Sequence, residues 1–121
     1  VPAHEWTCTN AVTHLPAQLF LQLGRAYYAD RKITKLGYLV DIPLELNMGE
    51  FTDDEGEAMY DLTAVVHHTS GSKGTSSGHY LACVKIEGDA WRRYSDAAVD
   101  DVRSKDVLTK DAVLLSYARR V

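Results

Sequence analysis

Residues 78–86 read Gly-His-Tyr-Leu-Ala-Cys-Val-Lys-Ile and form the clearest strand pattern in the chain. Two sets of side chains alternate with a period of two, which is the repeat of a β-strand rather than of a helix. A second short strand is predicted at residues 91–95, and the short connection between the two makes a β-hairpin. Because a hairpin returns its second strand to the start of the first, we expect His79 to lie beside Ser95 and Asp96.

Period-two alternation recurs on both sides of this hairpin. No helical pattern of about 10 to 15 residues separates the strands, so we predict an antiparallel sheet. One short helix is expected from Ser104 to Lys110, with Ser104 as its N-cap. Residues 48–58 and 69–78 are rich in glycine and in small or acidic residues, and we expect both to be loops. The other predicted strands are residues 19–23, 42–46, 62–66 and 113–117.

The composition is that of a compact globular protein. The chain has 121 residues, of which 45% are hydrophobic and 25% charged, and this suits one domain or one piece of a larger domain. The net charge is −4 and the basic residues form no stripe, so no nucleic-acid partner is predicted. No apolar run approaches the ~18 residues of a membrane-spanning helix, and no membrane span is expected.

The cysteines and the start of the chain bear on its location. Cys8 and Cys83 do not make a disulfide framework, so a reducing compartment is expected. We therefore predict an intracellular protein of the cytoplasm or nucleus. The first residue is Val1 rather than methionine and no signal-peptide pattern follows it, so we expect the chain to begin inside a longer protein.

His79 is the residue best suited to catalysis. It follows a glycine- and serine-rich segment and begins a strand, so a rigid element holds the imidazole while a flexible one borders it. The alternative interpretation is a structural histidine at a strand start. A catalytic histidine needs a partner that orients one ring nitrogen, and Ser95 and Asp96 are the candidates. Asp96 has the alternative role of a turn-former before Ala97.

No residue of the chain is predicted to be a nucleophile for His79. Cys83 lies further along the same strand, about 13 Å away at ~3.3 Å per residue, and is better interpreted as a small core residue. Cys8 lacks the glycine-rich or helix-start context that lowers the pKa of a thiol. The serines of residues 69–78 lack the strand–turn–helix setting of a serine hydrolase.

Neither a metal nor a phosphate-binding cofactor is predicted. His4, Cys8 and His14 are close in sequence, but their spacing matches no standard zinc pattern. His67 and His68 are adjacent, and neighbours on a strand point to opposite faces of the sheet. The glycine- and serine-rich segment leads into a strand, whereas a phosphate-binding loop leads into a helix.

The order of short motifs along the chain resembles the C-terminal portion of the catalytic domain of ubiquitin-specific proteases. These papain-like cysteine proteases remove ubiquitin from proteins. Each match is weak alone, but the matches occur in the family's order and spacing over most of the chain. They are Leu-Pro-Ala-Gln-Leu-Phe-Leu-Gln-Leu-Gly-Arg at 15–25, Lys-Ile at 32–33, Ile-Pro-Leu-Glu-Leu at 42–46, Tyr-Asp-Leu-Thr-Ala-Val-Val-His-His at 60–68, Gly-His-Tyr-Leu-Ala at 78–82, Trp-Arg-Arg-Tyr-Ser-Asp-Ala-Ala-Val at 91–99 and Ala-Val-Leu-Leu-Ser-Tyr at 112–117.

The resemblance implies an α+β, papain-like fold, of which this portion is mainly antiparallel sheet with one or two short helices. His79 matches the family's general base. Ser95 occupies the position of the aspartate or asparagine that orients this histidine, and Asp96 matches the second acidic position. A serine accepts a hydrogen bond from imidazole but carries no charge, so either Ser95 or Asp96 is expected to orient His79. Gly78 and Tyr80 match residues beside the channel for the C-terminal tail of ubiquitin.

The family's cysteine box is absent from residues 1–121. The resemblance thus implies that the chain is the C-terminal part of a catalytic domain whose nucleophile-bearing N-terminal part is missing. In the intact domain we expect a thiol-dependent deubiquitinase that hydrolyses the isopeptide bond after the C-terminal glycine of ubiquitin, without a cofactor. Its expected partners are ubiquitin and ubiquitinated proteins, and residues 1–121 alone are expected to be inactive. The alternative is a catalytically inactive ubiquitin-binding scaffold of the same family.

Overall fold

The computed structural model describes residues 7–35, 39–53, 56–71 and 74–121. These residues form one seven-stranded sheet and one two-stranded ribbon. No helix within these ranges is long and apolar enough to cross a membrane. The helices are a 3-10 helix at Met48–Phe51 and α1 at Ser104–Val107. The strands are β1 Gln18–Gln22, β2 Ala26–Ala29, β3 Lys32–Lys35, β4 Glu45–Asn47, β5 Met59–Gly71, β6 Gly74–Glu87, β7 Ala90–Ser95, β8 Ala98–Arg103 and β9 Ala112–Arg119.

The large sheet has the strand order β1-β9-β5-β6-β7-β8, and β4 pairs with β5. Strands β5 to β8 form three consecutive antiparallel hairpins. Strand β9 returns from the end of the chain and lies between β1 and β5, while β2 and β3 form the separate ribbon. The predicted α+β fold with a mainly antiparallel sheet is confirmed. The hairpin predicted from residues 80–86 and 91–95 is confirmed as β6 and β7.

One face of the sheet carries the hydrophobic core. Residues paired across neighbouring strands share a face, and Val65 pairs with both Cys83 of β6 and Leu115 of β9. All three are buried, and Cys83 is the core residue that the sequence predicted. Helix α1 adds the buried Val107 to this face. Other buried residues outside the strands complete the core, namely Leu15, Ile42, Met48 and Ala58.

Two buried tyrosines fix the path of the chain as it enters the sheet. The hydroxyl of Tyr60 donates a hydrogen bond to the carbonyl of Pro16, just before β1. The hydroxyl of Tyr117 donates to the carbonyl of Pro43, just before β4, at 2.7 Å. Burial raises the pKa of Tyr117 to about 12, so its hydroxyl remains a donor at neutral pH.

The prediction of a loop at residues 69–78 was wrong for the residues that the structure describes. Strand β5 continues to Gly71 and β6 begins at Gly74, so the segment belongs to a long hairpin. A strand ladder bonds backbone groups, and small side chains without hydrophobic alternation can still pair. The register shifts between Thr69 and Gly71, so pairing becomes irregular just beyond the level of His79.

The predicted loop at residues 48–58 begins with a 3-10 helix rather than irregular chain. Asn47 caps this helix, because its side-chain oxygen accepts hydrogen bonds from the N–H groups of Gly49 and Ala58, both at 3.0 Å. One amide side chain thereby closes both ends of the segment.

The predicted N-cap of α1 was also wrong. Ser104 is the first residue of the helix, and its N–H and hydroxyl both donate to the carboxylate of Asp89 in the β6–β7 turn. These bonds lower the pKa of Asp89. The helix ends at Val107 rather than at Lys110. A side chain distant in sequence thus satisfies an amide at the start of the helix, which the local pattern could not indicate.

Candidate active site

The end of β7 lies beside the part of β6 that carries His79. The sequence predicted that His79 begins this strand, but β6 begins at Gly74. Ala82 pairs with Tyr94, so Ser95 is a diagonal neighbour of His79 on the same face. The Nε2 atom of His79 lies 2.8 Å from the Oγ atom of Ser95. Asp96 is the next residue, and its Oδ2 atom lies 3.9 Å from the same nitrogen. The hairpin therefore brings the three residues together, and Ser95 is the one in hydrogen-bonding contact.

The two nitrogens of the His79 ring have different surroundings. Both contacts are made by Nε2, and no group in the part of the chain that the structure describes hydrogen-bonds to Nδ1. A proton on Nε2 can be donated to Ser95, which leaves the lone pair of Nδ1 available. The side chain of His79 is 44% exposed, so part of the imidazole ring is accessible to solvent. One ring nitrogen held and the other free is the arrangement that a general base requires.

Asp96 combines a turn with a charge. Its φ of 52° lies in the left-handed region, which aspartate adopts more readily than most residues other than glycine. It is part of the two-residue connection between Ser95 and Ala98, which pair with each other. Its side chain is 88% exposed, and water screens a charge at 3.9 Å in such a position. Asp96 is therefore the turn-former of the alternative interpretation and also a weakly interacting charge near His79.

Ion pairs on the neighbouring hairpin support the register at this corner. Arg92 and Arg93 of β7 lie directly opposite Asp101 and Asp100 of β8. The nearest nitrogen–oxygen distances are 3.3 Å for the first pair and 3.5 Å for the second. Such exposed cross-strand pairs each stabilise a sheet slightly. Together they favour the β7–β8 pairing that places Ser95 at the end of its strand.

A second histidine, His67, lies in the core. Its Nε2 atom lies 2.6 Å from the carbonyl oxygen of Val107, so Nε2 carries the hydrogen and donates a hydrogen bond to that oxygen. Its Nδ1 atom lies 3.9 Å from the Sγ atom of Cys83. Burial lowers the pKa of His67 and raises the pKa of the Cys83 thiol. Both groups are therefore neutral near pH 7, and a protonated buried thiol is a poor nucleophile.

The opposite face of the sheet carries Gly78 and Tyr80, which the sequence placed beside a ubiquitin-tail channel. The ring of His68 packs against both. Its centroid is 4.5 Å from that of Tyr80, and a Cβ atom built on Gly78 would lie only 2.5 Å from its Cε1 atom. Tyr80 is 64% exposed whereas His68 is buried. Sequence reasoning missed this contact, since only the β5–β6 register, which pairs His68 with Tyr80, could have indicated it.

The sequence contains five residues that were considered as metal ligands, namely His4, Cys8, His14, His67 and His68. Within the described ranges, no three histidine, cysteine, aspartate or glutamate side chains are grouped as they would be around an ion. His4 lies outside those ranges, and Cys8 and His14 are exposed. His67 and His68 point to opposite faces, as the sequence predicted, with one against Val107 and the other against Tyr80.

Known proteins with similar sequences share one family. The family model described as "Ubiquitin carboxyl-terminal hydrolase" matches residues 7–117. Ubiquitin carboxyl-terminal hydrolase 15 of Homo sapiens is 32% identical over 130 residues, which cover 95% of this chain and 13% of that protein. Ubiquitin carboxyl-terminal hydrolase 8 of Saccharomyces cerevisiae is 31% identical over 119 residues, which cover 88% of this chain and 24% of that protein. The chain thus spans a quarter or less of the length of these two relatives.

Solved structures give the same result. A chain of the Ubp8-Sgf11-Sgf73-Sus1 SAGA DUB module superposes with a TM-score of 0.81 at 30% identity, covering 92% of this chain and 26% of that one. A chain of the SAGA DUB module bound to monoubiquitin superposes with a TM-score of 0.78 at 31% identity, covering 88% and 24%. The papain-like fold implied by the motifs is thereby confirmed, and the chain belongs to the ubiquitin carboxyl-terminal hydrolase family.

Proposed function

We propose that the parent protein of this chain is a thiol-dependent deubiquitinase in which His79 is the general base. The observation that carries the proposal is the 2.8 Å contact between Nε2 of His79 and Oγ of Ser95, which leaves Nδ1 available. The family match supports the reaction class. A solved relative bound to monoubiquitin supports ubiquitin and ubiquitinated proteins as partners.

The proposed reaction begins when Nδ1 of His79 takes the proton of a cysteine thiol from the remainder of the catalytic domain. The thiolate attacks the carbonyl carbon of ubiquitin's last glycine and forms a sulfur–carbon bond. The imidazolium returns its proton to the lysine amine as the isopeptide bond breaks. The same nitrogen then deprotonates a water molecule, which attacks the thioester, releases the ubiquitin carboxylate and regenerates the thiol.

Ser95 is proposed to orient the ring, and Asp96 to supply charge. Ser95 accepts a hydrogen bond from Nε2–H and keeps the ring in one tautomer, but it cannot stabilise imidazolium as a carboxylate does. The carboxylate of Asp96 is 3.9 Å from Nε2 and 88% exposed, so its stabilising effect is small.

Gly78 and Tyr80 are proposed to border the channel for the ubiquitin tail. Tyr80 follows His79 directly in the chain and is 64% exposed, which supports this role. Gly78 directly precedes His79 and presents only backbone groups to an extended peptide. Backbone groups and an aromatic ring together suit an extended tail that ends in glycine.

The test uses the intact parent protein and a fluorogenic substrate attached to the C-terminus of ubiquitin. We expect His79→Ala to lower kcat/KM at least about 10³-fold without a change in the unfolding midpoint. Retained turnover would reject His79 as the base. We also expect residues 1–121 alone, shown to be folded by circular dichroism, to hydrolyse nothing. Hydrolysis by residues 1–121 would contradict a nucleophile outside them.

The neutral Ser95 favours one alternative, a ubiquitin-binding scaffold without activity. In that case the parent protein binds ubiquitin but releases no fluorophore. Ser95→Asp separates the two functions, because a carboxylate strengthens a working site. If the parent protein and its Ser95→Asp variant both bind ubiquitin without hydrolysing the substrate, the result would support the inactive scaffold.

A further inference from the structure

We propose that His68 is a positioning residue whose ring packs against Gly78 and Tyr80 and holds the part of β6 that carries His79. The inference rests on the proposed function of His79 as the general base. The side chain of His68 lies on the opposite face of the sheet from the side chains of His79 and Ser95. It acts through the strand that carries them.

The first observation is the packing of the ring. His68 pairs with Tyr80 across β5 and β6, so the two side chains share a face, and Gly78 is a diagonal neighbour on that face. The rings of His68 and Tyr80 are 4.5 Å apart at 35°. A Cβ atom at Gly78 would lie 2.5 Å from Cε1 and 2.8 Å from Cδ2 of His68, and closer still to Nε2. The ring thus fills the space that any side chain at position 78 would need.

The second observation concerns the backbone at the same level. Thr69 pairs with His79, and its hydroxyl donates a hydrogen bond to the carbonyl oxygen of His79 at 3.1 Å. Beyond this pair the ladder shifts register between Thr69 and Gly71. Regular pairing therefore ends just where the catalytic strand needs to be fixed. The ring of His68 and the hydroxyl of Thr69 add contacts from β5 at that point.

The third observation is the difference in exposure. Tyr80 is 64% exposed, whereas His68 is 8% exposed. The imidazole of His68 is therefore a rigid support beneath an exposed tyrosine, while Ser95 holds the ring of His79 on the opposite face. Misplacement of a catalytic group by about 1 Å can cost about 10²-fold in rate, so this support has a kinetic consequence.

The experiment is a double-mutant cycle in the intact parent protein, with active sites counted by titration with ubiquitin aldehyde. We expect Gly78→Ala to lower kcat per titrated site about tenfold or more, because the new methyl displaces the part of β6 that carries His79. We expect His68→Ala to lower kcat/KM about tenfold and His68→Phe, which keeps a ring, to remain within about threefold of wild type. A defect of folding alone would lower the number of sites and leave kcat per site unchanged.

The decisive result is the double variant His68→Ala/Gly78→Ala. Without the ring the methyl has room, so we expect the double variant to be no worse than His68→Ala. If the fold losses in kcat/KM of the two single variants multiply in the double variant, the proposal is overturned. A His68→Phe variant as impaired as His68→Ala would also overturn it. The affinity for ubiquitin is also measured for wild type, the two single variants and the double variant. Lack of turnover in wild type would count against the proposed function. Lack of coupling between positions 68 and 78, in both kcat/KM and ubiquitin affinity, would count against the positioning role of His68.

Discussion

The Nε2 atom of His79 lies 2.8 Å from the hydroxyl oxygen of Ser95. The bond joins two strands of one hairpin and involves a neutral partner, so its geometry depends on the β6–β7 register rather than on charge attraction. A neutral acceptor orients an imidazole but does not stabilise imidazolium. We infer that orientation and charge, which a single carboxylate would supply together, are divided here between Ser95 and Asp96.

The first prediction concerns Ser95. We expect Ser95→Ala in the parent protein to lower kcat about 10- to 100-fold with little change in KM, because the free ring samples other tautomers and orientations. Ser95→Asp should raise kcat above that of the alanine variant, since it restores both orientation and charge. Steady-state kinetics on a ubiquitin fluorogenic substrate measure both effects. Equal rates for wild type and Ser95→Ala would remove Ser95 from the mechanism.

The second prediction separates the charge of Asp96 from its backbone conformation. Asparagine tolerates a positive φ as aspartate does, so Asp96→Asn removes the charge and keeps the turn. We expect it to lower kcat less than about fivefold, because the carboxylate is 88% exposed. A loss larger than that of Ser95→Ala would show that Asp96 is the main orienting residue.

The turn itself gives a third prediction. The φ of Asp96 is 52°, so Asp96→Ala should lower the free energy of unfolding by about 1 kcal/mol. Asp96→Gly should be close to wild type, since glycine adopts this region without strain. Chemical denaturation of the parent protein measures the difference. An alanine variant as stable as the glycine variant would mean that this φ is not maintained in solution.

The approach of Ser95 to His79 could be predicted because both residues belong to one hairpin. A short turn determines the β6–β7 register, so the approach of Ser95 to His79 requires no long-range information. The period-two pattern likewise located the core face at Cys83. The motif order supplied the family, which periodicity alone does not specify.

The features that were missed depend on partners distant in sequence or on backbone pairing. The N–H of Ser104 is satisfied by Asp89 from another turn, and local capping preferences do not report such a partner. Residues 69–71 and 74–78 have little strand propensity, yet they belong to β5 and β6 because the adjoining parts of these two strands bring their backbones together. The packing of His68 on Gly78 follows from that same pairing.

The fourth prediction is a loss of stability in mild acid caused by His67. Burial lowers its pKa below the unfolded value of 6.5, although the bond to Val107 opposes the shift. The unfolded chain therefore takes up the proton first. The contribution of His67 to stability is complete above pH 6.5 and is lost as the pH falls below 6.5 towards the folded pKa. The groups that also act on His67 are Asp111, Arg93 and the Cys83 thiol.

His67→Gln tests this prediction, because the amide can donate to the Val107 carbonyl but does not titrate. We expect the unfolding free energy of the variant to fall less between pH 7 and pH 5 than that of the parent protein. The matched control is His14→Gln, which replaces an exposed histidine and should leave the slope unchanged. An unaltered slope in His67→Gln would mean that His67 is not the group that titrates.

The fifth prediction concerns Tyr117 in alkali. Burial raises its pKa from 10.0 to about 12, so the unfolded chain loses this proton at a lower pH than the folded one. Its contribution to stability is therefore present below pH 10 and is lost as the pH rises from 10 to 12.

Tyr117→Phe removes the titrating hydroxyl and also leaves the Pro43 carbonyl without its donor. We therefore expect the free energy of unfolding to fall by about 1–3 kcal/mol at neutral pH and to decline less steeply above pH 10. Tyr80→Phe, at an exposed position, should change the free energy of unfolding by less than about 0.5 kcal/mol, and a comparable loss in both variants would contradict the assigned role of the Tyr117 hydroxyl.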